Sequence, residues 1–236
     1  MRFVVGGLVI LALSMAACAQ VPGDVEQPEV TVSVSLPADP KAALAVGAGK
    51  LGTQSARIVF TLGDQPSDTR LTGVVDAATG SYEVTAEGFV VRRVGNDVWV
   101  KVLRMPTRED LFFRQEDLNK WIKQTAFNIE TTTTFHAGFP WKLPRGTVTQ
   151  GTKVTRAGEH SFRGTRMRQE SSDGHFAAEM DAAGRLTRVS SGFGQSVDNL
   201  FVIEFLDYGL PVNIEAPPAS EVIESPTFST VDAGIL

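Results

Sequence analysis

Apolar and polar positions alternate along much of this chain. In Arg57–Leu62, Ile58, Phe60 and Leu62 share one face, while Arg57, Val59 and Thr61 share the other. Tyr82, Val84 and Ala86 alternate in the same way with Glu83, Thr85 and Glu87. A period of two sustained over such a run predicts a half-buried strand. Val90–Val94 and Val98–Val102 flank Gly95-Asn96-Asp97, and Phe176–Asp181 and Arg185–Ser190 flank Ala182-Ala183-Gly184, so each set predicts a hairpin with a tight turn. Leu200–Leu206 predicts another strand, with Phe201, Ile203 and Phe205 on one side. Asp76–Gly80 has turn chemistry. Roughly ten such strands joined by short turns predict one large antiparallel sheet.

Two stretches carry a helical period instead. Leu44, Ala48 and Leu51 recur at helical spacing in Lys41–Gln54, although Gly47, Gly49 and Gly52 weaken the propensity. Thr107–Gln124 holds Leu111, Leu118, Trp121 and Ile122, with Glu109 and Asp110 early and Lys120 and Lys123 late. That charge order suits a helix dipole, and the spacing predicts an amphipathic helix covering one face of the sheet.

The amino terminus has a different pattern. After Arg2, residues 3–17 are uncharged and mostly apolar, too short to span a membrane as a helix but the right length for a secretory leader. The leader ends in Met15-Ala16-Ala17-Cys18, small residues before a cysteine, as in a bacterial lipobox. Cys18 is the single cysteine of 236 residues. Lipidation of its thiol is therefore the expectation, with the mature chain anchored on the extracytoplasmic face of the cell membrane. The alternative is a plain secretory leader cut near Ala17 or Ala19. Residues 18–40 contain Pro22, Pro28 and Pro37 and several acids, and predict a tether. Val30–Ser35 within it alternates like a short strand that could pair at a sheet edge. Residues 41–225 then form the domain, and 226–236 a loose tail.

Composition narrows the function. The formal net charge is −5, and no basic face emerges, so nucleic acid is not an expected partner. One cysteine excludes a disulfide framework and any multi-cysteine zinc site. His136, His160 and His175 lie outside any metal or hydrolase motif, and no phosphate-binding loop follows a strand. Neither catalysis nor a cofactor is expected. Arginines concentrate at Arg92, Arg93, Arg156, Arg163, Arg166 and Arg168, either a solvated strand face or a site for an anionic headgroup. Arg166 and Arg168 fall on the same side as Phe162 and are the headgroup candidates.

Short motifs add a resemblance. Gly151–Gly164 resembles a strand pair of the actinobacterial LppX/LprG-type lipoproteins, Val91–Lys101 their central hairpin, and Phe205–Ala219 (FLDYGLPVNIEAPPA) their closing strand. Together with the lipobox, the resemblance covers most of the chain from Gly73 to Pro218. The Thr107–Phe127 insertion, the weak first helix and the long tether depart from it. The resemblance implies a LolA-like fold, mainly β (α+β): a strongly curved antiparallel half barrel with a few helices on its concave face. It also implies an apolar cavity that binds an acylated lipid or glycolipid for carriage or placement in the envelope, by a monomer that could work with a membrane lipid transporter. The cavity candidates are Ile58, Phe60, Leu62, Tyr82, Val84, Trp99, Phe201, Ile203 and Phe205 from strands, with Leu111, Leu118 and Trp121 from the helix. The same side chains could equally pack as a closed core, which would suit an envelope interaction or sensor module without lipid cargo.

Overall fold

The computed structural model describes residues 33–63, 69–105, 114–124, 138–166, 174–194 and 200–223. Cys18, the leader, most of the tether, Leu111, His136, Arg168 and the tail lie outside them. Twelve strands form one open, curved sheet, in the order β12-β6-β5-β4-β3-β2-β1-β11-β10-β9-β8-β7. The strands are β1 (Ala56–Leu62), β2 (Thr69–Val75), β3 (Tyr82–Thr85), β4 (Phe89–Val94), β5 (Asp97–Val102), β6 (Trp121–Gln124), β7 (Thr152–Arg156), β8 (Ser161–Arg166), β9 (Gly174–Met180), β10 (Leu186–Phe193), β11 (Phe201–Leu206) and β12 (Val222–Ile223). All pair antiparallel except β12, which runs parallel to β6. Two helices, α1 (Pro40–Lys50) and α2 (Lys142–Thr149), lie against the sheet. The described part of the protein is thus mainly β.

Turn residues set the register. In the β2–β3 turn, Asp76 accepts hydrogen bonds from the Ala78 amide at 2.9 Å and the Thr79 hydroxyl at 2.7 Å, while Gly80 takes φ +70°. The Thr79 hydroxyl above all holds the Asp76 carboxyl below its ordinary value of 3.8; desolvation, the next largest effect, opposes it, and the Ala78 amide and Ser55 hydroxyl add smaller lowering contributions. A carboxyl depressed in the fold stabilises it above the unfolded value and loses that contribution as pH falls through the folded one. Asp76→Ala is expected to lower Tm by about 2–4 °C at pH 7, the shift that a loss of ~1 kcal/mol produces at this size. Thermal melts at pH 7 and pH 2.5 check this, since the deficit should shrink at the lower pH.

Cross-strand register then aligns one apolar face. Ile58 faces Gly73 and Phe205, and Phe60 faces Leu71 and Ile203. Gly73 is needed there: a Cβ would lie 2.0 Å from the Glu83 carbonyl oxygen. The face continues through Tyr82 and Val84, then Val91, Val98, Val100 and Ile122 on one side, and through Val189, Ala178 and Phe162 on the other.

Both helices pack on this inner face. Asp39 caps α1, accepting from the Ala42 amide at 2.7 Å, and Ala43, Leu44, Gly47 and Ala48 turn inward. Gly47 admits Met180 and Leu186 so closely that a Cβ would meet the Met180 methyl at 2.6 Å. Helix α2 lies against α1, β9 and β10, and Arg145 joins the helices by donating to the carbonyls of Ala48 and Leu51.

Two expectations are corrected here, and one element is added. Thr107–Gln124 is not one helix: its described part is a 3-10 turn, Gln115–Asp117, followed by strand β6, which pairs with β5. A helix does exist further on, α2, which the sequence pattern does not predict, because Pro144 and Gly146 interrupt its eight residues. The end of the tether is part of the domain rather than a free spacer. Val34 donates to the Ala182 carbonyl at 2.9 Å, Arg156 donates to the Pro37 carbonyl, and Leu36 packs against the core. Its residues 33–35 form no strand.

Candidate functional site

Register brings eight of the sequence-derived candidates together. Ile58, Phe60, Leu62, Tyr82, Val84, Phe201, Ile203 and Phe205 all lie on the inner face of β1, β3 and β11. Seven of them are at most 1% exposed, and Leu62 is partly buried against them. The face reaches further than these eight. Phe89, Val91, Val98, Val100, Val102 and Ile122 extend it across β4–β6, all buried. Val98 and Val100, and Val91 with its partner Val84, already alternate in the sequence, so that signal was present.

The inner face divides into two regions. Around β1, β3 and β11 it is filled by aromatic side chains from the segment leading into α2. The Phe139 ring lies edge-on to Phe60 at 5.7 Å and to Tyr82 at 5.0 Å, and Trp141 stacks on Phe205 at 5.1 Å. Across β4–β6 the wall is made of valines, phenylalanine and isoleucine. The described helices make their main contacts with one another and with β7, β9 and β10, on the other half of the sheet.

Trp99 and Trp121 do not belong to this face. Trp99 is paired with Arg92 and Trp121 with Lys101, which places both on the outer face. They are nevertheless buried, at 6% and 4% exposure. The cations beside them explain part of this. The Arg92 guanidinium lies 4.5 Å from the Trp121 ring centre, Lys101 Nζ 4.7 Å from it, and Lys123 Nζ 5.8 Å from that of Trp99. The chain after β11 also crosses this face before adding β12 beside β6. Arg92 donates to the Glu215 carbonyl at 3.1 Å, and Lys101 pairs with Glu221 at 3.5 Å. A cleft of about 380 Å³ remains beside that segment, lined by Val74, Glu83, Arg92, Asn213, Ile214 and Glu215. Glu83 occupies Arg92, at 2.5 Å. Leu118 is partly buried against the core, but from the turn before β6 rather than from a helix.

The polar groups of the inner face sit at its margins. Arg166, one headgroup candidate, donates to the Thr147 hydroxyl of α2 at 3.3 Å and so helps to dock that helix. Tyr82, Arg93, Val98 and Gln124 form one transverse row, and Arg93 and Gln124 are buried at 5% and 6% exposure. Burial raises the Tyr82 hydroxyl far above its ordinary range, so it stays protonated, while the adjacent Arg93 charge opposes that shift. Arginine density alone groups Arg93 with Arg92 and does not separate their faces. Their adjacency in a strand does so. Among the described residues, no three His, Cys, Asp or Glu side chains are grouped to hold a metal ion.

No family model and no curated protein matches the chain. Among solved structures, it is similar to an uncharacterized conserved protein from Thermus thermophilus, at 10% identity and a TM-score of 0.40, over 78% of this chain and 97% of that one.

Proposed function

We propose that this chain is a membrane-anchored extracytoplasmic lipoprotein, lipidated at Cys18, which binds an acylated lipid or glycolipid against the inner face of its sheet and carries or places it in the envelope, in the manner of a LolA-like half barrel. The observation that carries this reading is the continuous apolar face of β3–β6, built from Val84, Phe89, Val91, Val98, Val100, Val102 and Ile122, which lies away from the main contacts of both helices. All seven are buried in the core, so a bound chain would take the place of what now covers them. A wall of this kind matches an alkyl chain in chemistry. Burying a chain of about 16 carbons would contribute on the order of 12 kcal/mol gross, at ~0.8 kcal/mol per CH₂, before ordering and association costs reduce it. The lipobox supports the location, because a carrier of envelope lipid works at a membrane surface. Binding without chemistry also fits a sequence that carries no catalytic motif. A membrane lipid transporter is the natural partner of such a carrier, and a monomer suffices for it.

The test is uptake of a fluorescent acyl lipid from vesicles by the chain from Ala19 onward, which holds every described element. Saturation near one lipid per chain is expected, and no uptake at micromolar protein would reject the reading. A second reading is favoured by the packing of Phe139 and Trp141 on Phe60, Tyr82 and Phe205. Interior side chains that close on one another in this way suit an envelope interaction or sensor module of the same fold, whose core needs no ligand.

A further inference from the structure

A charged group sits on the apolar face with no carboxylate paired to it among the described residues. Arg93 lies in β4 between Tyr82 of β3 and Val98 of β5, and is only 5% exposed. Its neighbour Arg92, on the opposite face, is paired with Glu83. Arg93 has no such partner among the described carboxylates. Its Nε donates to the Gly95 carbonyl at 2.9 Å, and the Tyr82 hydroxyl lies within hydrogen-bonding reach. A guanidinium stays charged at any physiological pH and carries five N–H donors in a planar fork. Burying it without an anion is strongly unfavourable. An arginine in a row with valine and tyrosine, held by the Gly95 carbonyl and the Tyr82 hydroxyl but by no described carboxylate, is suited to meet a negative group.

The surroundings define that group. Along β4, the inner-face positions beyond Arg93 are Val91 and Phe89, flanked by Val84, Val100, Ile122 and Val102. Four residues of strand make about 13 Å of apolar wall, at ~3.3 Å per residue. One buried cation heads that wall. The arrangement matches an amphiphile whose oxyanion meets the guanidinium fork and whose chain lies along the valines.

We propose that Arg93 recognises an oxyanion, phosphate or carboxylate, in the headgroup of the bound lipid. This rests on the acyl-binding reading above and narrows its ligand to anionic acyl lipids. The competing role for Arg93 is structural, closing the β4–β5 turn through Gly95. That role gives a stability effect and no dependence on the headgroup.

The chain from Ala19 onward is titrated with three competitors of a fluorescent acyl probe: dipalmitoyl phosphatidate, dipalmitoylglycerol and glycerol 3-phosphate. The expected result is phosphatidate binding at least about tenfold tighter than dipalmitoylglycerol, and glycerol 3-phosphate failing to compete. In Arg93→Gln the preference falls to about twofold or less, with the affinity for dipalmitoylglycerol kept. Arg93→Lys, which keeps the charge but not the fork, serves where the glutamine variant does not fold, and should lose several-fold of the preference. Equal binding of the two lipids by the wild type, or an unchanged preference in both variants, overturns the assignment while leaving acyl binding in place. Competition by glycerol 3-phosphate as strong as that of phosphatidate overturns it in favour of a site for a soluble oxyanion. Binding of none of the three and no uptake of the probe rejects the acyl-binding reading itself, and this assignment with it.

Discussion

Cys18→Ser is expected to abolish incorporation of labelled fatty acid completely and to leave the leader uncut before residue 18. The reason is chemical. The diacylglycerol bond forms on a thiol, and the chain has only one, so no other position can substitute. Cleavage by the lipoprotein route follows that modification, and the variant should therefore run as the heavier precursor. The effect on anchoring is correspondingly large. One acyl chain binds a membrane only marginally, whereas two or three bind stably, at ~0.8 kcal/mol per buried CH₂. Among the described residues no helix is long and apolar enough to cross a membrane. Gel mobility together with metabolic labelling checks both halves. A wild type without label, and a serine variant processed as the wild type is, would instead establish the plain secretory leader.

Val100→Phe is expected to reduce acyl-lipid uptake at least tenfold, and its effect on the stability of the lipid-free protein separates the two readings. Val100 is 1% exposed and stands between Val91 and Ile122 on the β4–β6 wall. A phenyl ring at that position would take the volume that an alkyl chain occupies in the carrier reading. In a closed core the same ring has nowhere to go, and overpacking there typically costs about 1–3 kcal/mol. The two readings therefore separate on one variant. Loss of uptake with Tm held supports the carrier. A fall in Tm, with the lipid-free wild type and the variant equally unable to take up probe, supports the filled core.

How much of this is legible in the sequence depends on what covers each strand. β3 and β11 alternate cleanly because one side meets the core and the other meets polar surroundings, and β1 does so except at Val59, so their period of two is visible. The Gly95-Asn96 and Ala182–Gly184 turns mark their hairpins for a local reason, a backbone need for φ > 0, at Gly95 and Gly184. β6 reads as helix because Trp121 and Ile122 are adjacent and both buried, one on each face. Cation side chains and the crossing segment after β11 cover the outer face there, so the alternation disappears and the spacing from Leu118 mimics a helix. The same effect disguises the face of Trp99, which is buried like the Val98 and Val100 that flank it. That outer covering is a long-range contact between residues 213–223 and β4–β6, and no local pattern announces it. α2 is hidden by Pro144 and Gly146, tolerated because Pro144 falls in the first turn, where its missing N–H costs nothing.

The candidate site is half legible. Eight strand candidates converge on one face because the parity of their positions is visible in the sequence. The extension through β4–β6 and the burial of Arg93 depend on the cross-strand row that joins Val84, Val91 and Val100 to Ile122. Arg93 differs from Arg92 by one position, and in a strand that single step moves a side chain from the outer face to the inner one.

The most direct measurement is native mass spectrometry of the chain from Ala19 onward, secreted through an envelope so that it meets lipid, with solvent extraction of the same sample. The carrier reading predicts a second mass population, heavier by one acyl lipid and lost on extraction, with an anionic headgroup in the extract. A single mass equal to that of the polypeptide, unchanged after incubation with phosphatidate vesicles, would contradict it.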